Sequence, residues 1–189
     1  PTMEFNASSF GPAVPASGKL GVLATIAPQE GEIGPGCSPF DAANAAAVRG
    51  KVPIINRGAC AFALKVKNAQ DAGAIGVVLA NNAAGALVPG GTDATVTIPS
   101  VGITQAEGEL LKAAVAAVKP YGSRAQAGAV TATFAVDNTR KAGADALGRP
   151  LLYTPATLAP GSSVSHWDVT ASPNLLMEPS IRFGDEIGR

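Results

Sequence analysis

The 189-residue chain reads as an α/β protein, a mixed and partly closed β-sheet or barrel flanked by helices and followed by an extended C-terminal arm. Three observations carry that reading. Residues 51–82 run as strand, tight turn, amphipathic helix and buried strand. Residues 104–119 hold a capped amphipathic helix, and residues 129–136 alternate apolar and polar side chains as a half-buried strand does.

In chain order, residues 1–17 form a lead segment containing Pro12 and Pro15. Residues 19–26, KLGVLATI, read as a strand, and a Gly/Pro-rich loop fills 28–38. The alanine-rich stretch 41–49 leaves its own form open. Residues 51–56 are β-branched and apolar, and Arg57-Gly58 breaks them off. Phe62, Val66, Ala69 and Gly73 then recur at i, i+4, i+7 and i+11, which predicts a helix over 60–72 with one narrow apolar stripe. Lys65, Lys67, Asn68 and Asp71 fall off that stripe, and Gly73 suits the left-handed residue that ends a helix. The apolar run 75–80, closed by Asn81-Asn82, fits a strand covered on both faces. Such short β-α-β spacing predicts a parallel pair with a right-handed crossover.

The glycine-rich loop 81–95 lacks the G-x-x-x-x-G-K-[ST] order, so nucleotide binding is set aside. Residues 97–103 form a strand in which Pro99 suggests an edge or a bulge. Thr104 and Glu107 make a capping box. Behind it Leu110, Leu111, Ala114, Val115 and Val118 form the apolar face of a helix over 105–118, which must stop before Pro120. In 129–136, Val130, Ala132, Phe134 and Val136 share one face, with Thr131 and Thr133 on the other. From Asp137 onward, prolines at 150, 155, 160, 173 and 179 punctuate a stretch without long periodic segments.

A hydrophobic content of 47% with 15% charged residues excludes disorder. Fourteen basic and 14 acidic residues cancel to a formal charge of zero, and no Lys/Arg cluster marks a nucleic-acid or anionic-membrane partner. No apolar run approaches the ~18–20 residues of a membrane-spanning helix. Neither end reads as a natural terminus, so the chain is expected to be part of a longer protein. Cys37 and Cys60 are the two cysteines. They form either a disulfide, worth roughly 3 kcal/mol in the chain-entropy model, or two unpaired buried thiols. With no histidine nearby they leave a tetrahedral zinc half-coordinated.

Residues 51–82 closely resemble the protease-associated (PA) domain. The matching positions are the Arg57-Gly58-x-Cys60-x-Phe62 turn, Lys65 and Lys67 followed by Asn68-Ala69, Ala72-Gly73-Ala74, and the run 77–82. The pattern continues through Gly90-Gly91-Thr92 and residues 97–101, and the resemblance covers 18–136. It implies a non-catalytic module accompanying secreted or membrane-bound proteases and receptors, with substrate-gating or protein-interaction roles. It also implies a Cys37–Cys60 bridge, and with it a secreted or extracytoplasmic location. Candidate binding positions lie on the loop rims, at Asn81, Asn82, Gly90, Gly91 and Thr92, where nearly uncharged small residues suit the extended backbone of a protein or peptide substrate. Ordinary solvated connections are the alternative.

The arm, 137–189, holds the sole histidine and sole tryptophan, in Ser165-His166-Trp167-Asp168, with Met177 in Asn174-Leu175-Leu176-Met177-Glu178-Pro179. Read from the residues alone, this is an interface histidine beside an aromatic anchor. The spacing also resembles the end of a leishmanolysin-like metzincin metalloprotease. That resemblance implies His166 as a third zinc ligand and Met177 as the Met-turn residue. No His-Glu-x-x-His occurs in the 189 residues, so the chain lacks two ligands and the general base. The expectation is therefore a non-enzymatic chain that carries no cofactor, a zinc-dependent parent protease, and the parent catalytic domain as a partner. The alternative is a fragment of the protease itself, whose active site is completed by sequence outside the chain.

Overall fold

The computed structural model describes residues 2–118, 129–135, 143–145, 147 and 149–171. The strands are β1 (Asn6–Ala7), β2 (Lys19–Thr25), β3 (Val52–Asn56), β4 (Val77–Ala80), β5 (Ser100–Ile103) and β6 (Thr131–Phe134). The helices are α1 (Ala42–Val48), α2 (Phe62–Asp71) and α3 (Gln105–Ala116). One curled sheet, ordered β1-β5-β4-β3-β2-β6, collects all six strands. Its four central strands are parallel, and antiparallel β1 and β6 flank them. The curl brings the Phe5 ring, next to β1, edge-on to Phe134 of β6 at a centroid distance of 6.3 Å.

Period-two alternation splits the strand side chains between two cores. Ile55, Val77 and Leu79 join Val48 of α1 and Val66 and Ala69 of α2 on one face. Ile54, Val78, Val101 and Ile103 join Leu23 on the other, where Leu111 and Val115 of α3 cover them. Burial of each such aliphatic side chain stabilises the fold by about 1.5–3 kcal/mol. The expected capping box is present: Glu107 N–H donates to Thr104 Oγ1, and Thr104 N–H donates to Glu107 Oε2 at 2.9 Å.

Three details depart from the sequence reading, and a fourth fills in what it left open. Lys65, expected off the buried stripe, is fully buried, because residues 35–37 fold over that side of α2. Leu110, expected on the buried face of α3, is 55% exposed. The closest approach of α3 to the sheet runs instead through Gly108, where an added Cβ would lie 2.4 Å from Ala80 Cβ. Pro99 marks neither a sheet edge nor a bulge, since β5 lies between β4 and β1 and the Pro99 carbonyl accepts from Val77 N–H at 3.1 Å. The alanine-rich stretch is helix α1, capped by the Asp41 carboxylate, which accepts from Asn44 N–H at 2.7 Å.

The chain divides into two units, 1–136 and 137–189. Residues 1–17 contribute β1 to the first unit, along with the buried side chains Phe10 and Val14. In the second unit the described part of the arm doubles back. Tyr153 N–H donates to the His166 carbonyl and Asp168 N–H to the Leu151 carbonyl, both at 2.9 Å. Met177 lies outside the described residues.

Candidate binding rim

The carboxyl ends of parallel strands collect the polar side chains of this fold, as the direction of a parallel sheet dictates. Arg57 N–H continues the ladder onto the Ala80 carbonyl at 2.8 Å, and Asn81 N–H onto Ile103 at 3.1 Å. Arg57, Asn81 and Thr104 therefore stand side by side along one edge. Arg57 is exposed, and its Nη1 donates to Asn81 Oδ1 at 3.2 Å. Asn81 is 5% exposed and spends its remaining groups locally. Its Oδ1 also accepts from Asn82 N–H at 3.0 Å, and its Nδ2 donates to the Gly85 carbonyl at 3.1 Å. Next to Arg57, Lys112 Nζ donates to Asn56 Oδ1 at 3.0 Å. The other guanidinium N–H groups of Arg57 make no hydrogen bond among the described residues.

Behind Arg57 the chain makes a tight turn. Gly58 has φ 132° and Ala59 φ 64°, and Cys60 N–H donates to the Gly58 carbonyl at 2.8 Å. A non-glycine residue held at positive φ is a strained conformation that surrounding structure must enforce. Here the enforcement is visible. Cys60 is bonded to Cys37 in a disulfide with a Cα–Cα distance of 5.8 Å. Gly34 presses so closely on Ala59 that a Cβ there would lie 2.4 Å from the Ala59 Cβ. Helix α2 starts at Phe62 without a side-chain cap, so its free N–H groups face the same turn.

The loop carrying Cys37 is held from below by α2. Asn68 Nδ2 donates to the Gly36 carbonyl at 3.0 Å, and Lys65 Nζ donates to the Pro35 carbonyl and lies 3.5 Å from Cys37 Sγ. Burial holds the Lys65 pKa below its ordinary value, while the nearby Glu32 carboxylate works in the opposite direction.

The second rim loop, 81–95, is more firmly seated than its glycine content suggests. Leu87 and Pro89 are buried, Ser9 N–H donates to the Pro89 carbonyl at 3.0 Å, and Ser9 Oγ donates to Gly91 at 3.1 Å. Asp93 accepts from the hydroxyl and N–H of Thr95, which lowers its carboxyl pKa. Asn82, Gly90, Gly91 and Thr92 are exposed on this loop. Of the five expected binding positions, Asn81 thus lies beneath the rim as its support. Arg57, read from the sequence only as a turn residue, stands on the rim itself. An arginine directly after the apolar run 52–55 and Asn56 was the available signal.

A separate concavity of about 300 Å³, lined by residues including Thr25, Lys51, Val115 and Val130, opens between β2, β6 and α3. In the second unit, His166 is half-buried and its Nδ1 lies 3.1 Å from Ser165 Oγ. No group of three His, Cys, Asp or Glu side chains that could hold a metal gathers among the described residues.

Residues 19–111 match the family model of the PA domain. This stretch of the chain is a PA domain. The PA-containing chain is 37% identical over 107 residues to receptor homology region, transmembrane domain- and RING domain-containing protein 1 of Oryza sativa subsp. japonica, covering 56% of this chain and 19% of the relative. It is 42% identical over 73 residues to leucine aminopeptidase 2 of Arthroderma otae, covering 38% of this chain and 14% of the relative. Among solved structures, a zinc aminopeptidase from Bacillus subtilis is 27% identical with a TM-score of 0.46, over 58% of this chain and 25% of that one. The chain thus spans no more than about a fifth of the length of the curated relatives named here. By their names these relatives include a leucine aminopeptidase and a receptor homology region protein, and this does not single out a metzincin.

Proposed function

We propose that the PA domain is a non-catalytic module that binds an extended protein or peptide segment on its rim. It would thereby present substrate to, or gate access to, a secreted protease of which this chain is part. Arg57 carries the reading. Its guanidinium is exposed at the carboxyl edge of a parallel sheet and anchored by one hydrogen bond to a buried asparagine. The remaining donors point to an acceptor-rich ligand such as backbone carbonyls or a carboxylate. Asn82, Gly90, Gly91 and Thr92 supply an uncharged shelf along which a chain can lie. The disulfide fits an extracytoplasmic setting.

The test is binding of the chain to an immobilised, carboxymethylated unfolded protein, measured by interferometry. Loss of a charge-assisted hydrogen bond costs about 1.5–3 kcal/mol, so Arg57→Ala should weaken binding roughly 10- to 100-fold. Equal affinity of both proteins would rule the rim out.

A second reading concerns the parent enzyme. The peptidases among the relatives favour a peptidase parent, and the Ser165-His166-Trp167 pattern with Met177 favours a leishmanolysin-like zinc enzyme. With Nδ1 beside Ser165, Nε2 of His166 is the nitrogen open to a metal. One imidazole does not make a zinc site, and the described residues alone do not fit one. Calorimetry should therefore find no tight zinc binding by this chain. It should find a tight site that His166→Ala removes in the full-length parent.

A further inference from the structure

The Cys37–Cys60 disulfide is chemically unsymmetrical. Cys37 is 8% exposed, whereas Cys60 is half-buried on the Arg57–Cys60 side of the rim. Lys65 is fully buried, and its amine lies 3.5 Å from Cys37 Sγ with the Pro35 carbonyl as its other partner. No hydrogen bond or ion pair involves Cys60 Sγ among the described residues. A lysine amine in this position is costly as a mere filler, since an apolar side chain of similar length would occupy the space without desolvating a charge. Its chemical effect falls on one sulfur of the pair.

We propose that Cys60 is a thiol–disulfide exchange site, at which an external thiolate attacks Cys60 Sγ and Cys37 departs as a thiolate held by Lys65. The incoming sulfur forms a bond to Cys60 while the Cys60–Cys37 bond breaks, and its electron pair goes to Cys37 Sγ. A second thiolate then attacks the mixed disulfide, releasing Cys60 as a thiolate and a disulfide of the reductant. Two equivalents of thiol are the only co-reactants. Access selects the sulfur that is attacked, and stabilisation of the departing thiolate selects the one that leaves. Two charged groups face Cys37. Lys65 favours the thiolate, and Glu32, whose Oε1 accepts from Cys37 N–H at 3.2 Å, opposes it. Lys65 Nζ lies 3.5 Å from the sulfur itself, whereas the Glu32 contact is to the backbone N–H. Opening the bridge would detach the loop of residues 28–38 from the strained turn at Ala59, so exchange at Cys60 acts on the support of the rim whatever the rim binds.

The full chain is treated with glutathione, quenched by rapid alkylation and mapped by mass spectrometry. Glutathione should be found on Cys60 and the alkylating label on Cys37. Lys65→Met should slow opening by about 3-fold for each pKa unit lost in the departing thiol, since the exchange rate takes up only about half of such a change. Glutathione on Cys37, equal labelling of both sulfurs, an unopened bridge, or equal rates in the two proteins would overturn the proposal. Should Lys65→Met not fold, Cys60→Ser leaves Cys37 as a free thiol beside an intact Lys65. Its alkylation rate should then titrate below the ordinary thiol value of about 8.5, and titration at or above that value would overturn the proposal equally.

Discussion

Replacing Gly102 by alanine tests how the rim loop is seated. Gly102 lies in the middle of β5, paired with Leu79 on one side and Asn6 on the other. A Cβ at this position would stand 2.3 Å from the Leu87 carbonyl oxygen and 2.8 and 2.9 Å from Cδ and Cγ of Pro89. These are backbone and ring atoms, so no side-chain rotation relieves the clash, and the 87–89 segment must lift by roughly an ångström. Lifting it strains the hydrogen bonds that Leu87 and Pro89 accept from Asn6 Nδ2 and Ser9 N–H. Overpacking of this kind costs about 1–3 kcal/mol, and the lower chain entropy of unfolded alanine returns about 0.4–1 kcal/mol. The net loss of about 1–2 kcal/mol should lower the melting temperature by about 4–8 °C in a unit of this size. Gly90→Ala, in the same loop with nothing within 4 Å of its added Cβ and no positive φ, serves as the control and should change little. Circular dichroism melts of the three proteins decide the matter. If Gly102→Ala raises the melting temperature, as relief of a flexible strand glycine would, the loop is not seated on β5 as described.

The double variant Cys37→Ser/Cys60→Ser should lose about 3 kcal/mol in guanidinium unfolding, from release of a 23-residue separation; an unchanged midpoint would show that the bridge constrains nothing. Lys65 has a folded-state pKa below its ordinary value, so the unfolded chain binds more protons between that value and 10.5, and the wild type should gain stability relative to Lys65→Met as pH rises through this window. A stability difference that is flat with pH there would contradict the buried amine.

Much of this fold is written in local pattern. The β3–α2–β4 unit follows from Val66 and Ala69 at helical spacing between two apolar runs, and α3 from its capping box. Where the pattern failed, the cause was a partner distant in sequence. Helical periodicity places Lys65 on a polar face, and only residues 35–37, some thirty positions earlier, turn that face into interior. Leu110 has the right chemistry for the α3 face, but Gly108 brings the helix closest to Ala80 along a neighbouring line. Strand β1 is two residues long, too short for any periodicity, and its pairing with β5 spans more than ninety residues. Helix α1 hid because five of the ten positions from 41 to 50 are alanine, which gives no contrast between helix faces. At the rim, loop composition pointed to 81–92, yet the burial of Asn81 and the exposure of Arg57 depend on how β3 and β4 end side by side.

The central claim is that the rim at the carboxyl ends of β3 and β4 binds an extended chain. Backbone amide spectra of the 15N-labelled protein, titrated with the carboxymethylated unfolded protein, test it most directly. The account predicts shifts concentrated at Arg57, Gly58, Cys60, Asn82, Gly90, Gly91 and Thr92, and their loss in Arg57→Ala. Shifts centred instead on Thr25, Lys51, Val115 and Val130 would move the binding surface to the concavity between β2, β6 and α3 and contradict the account.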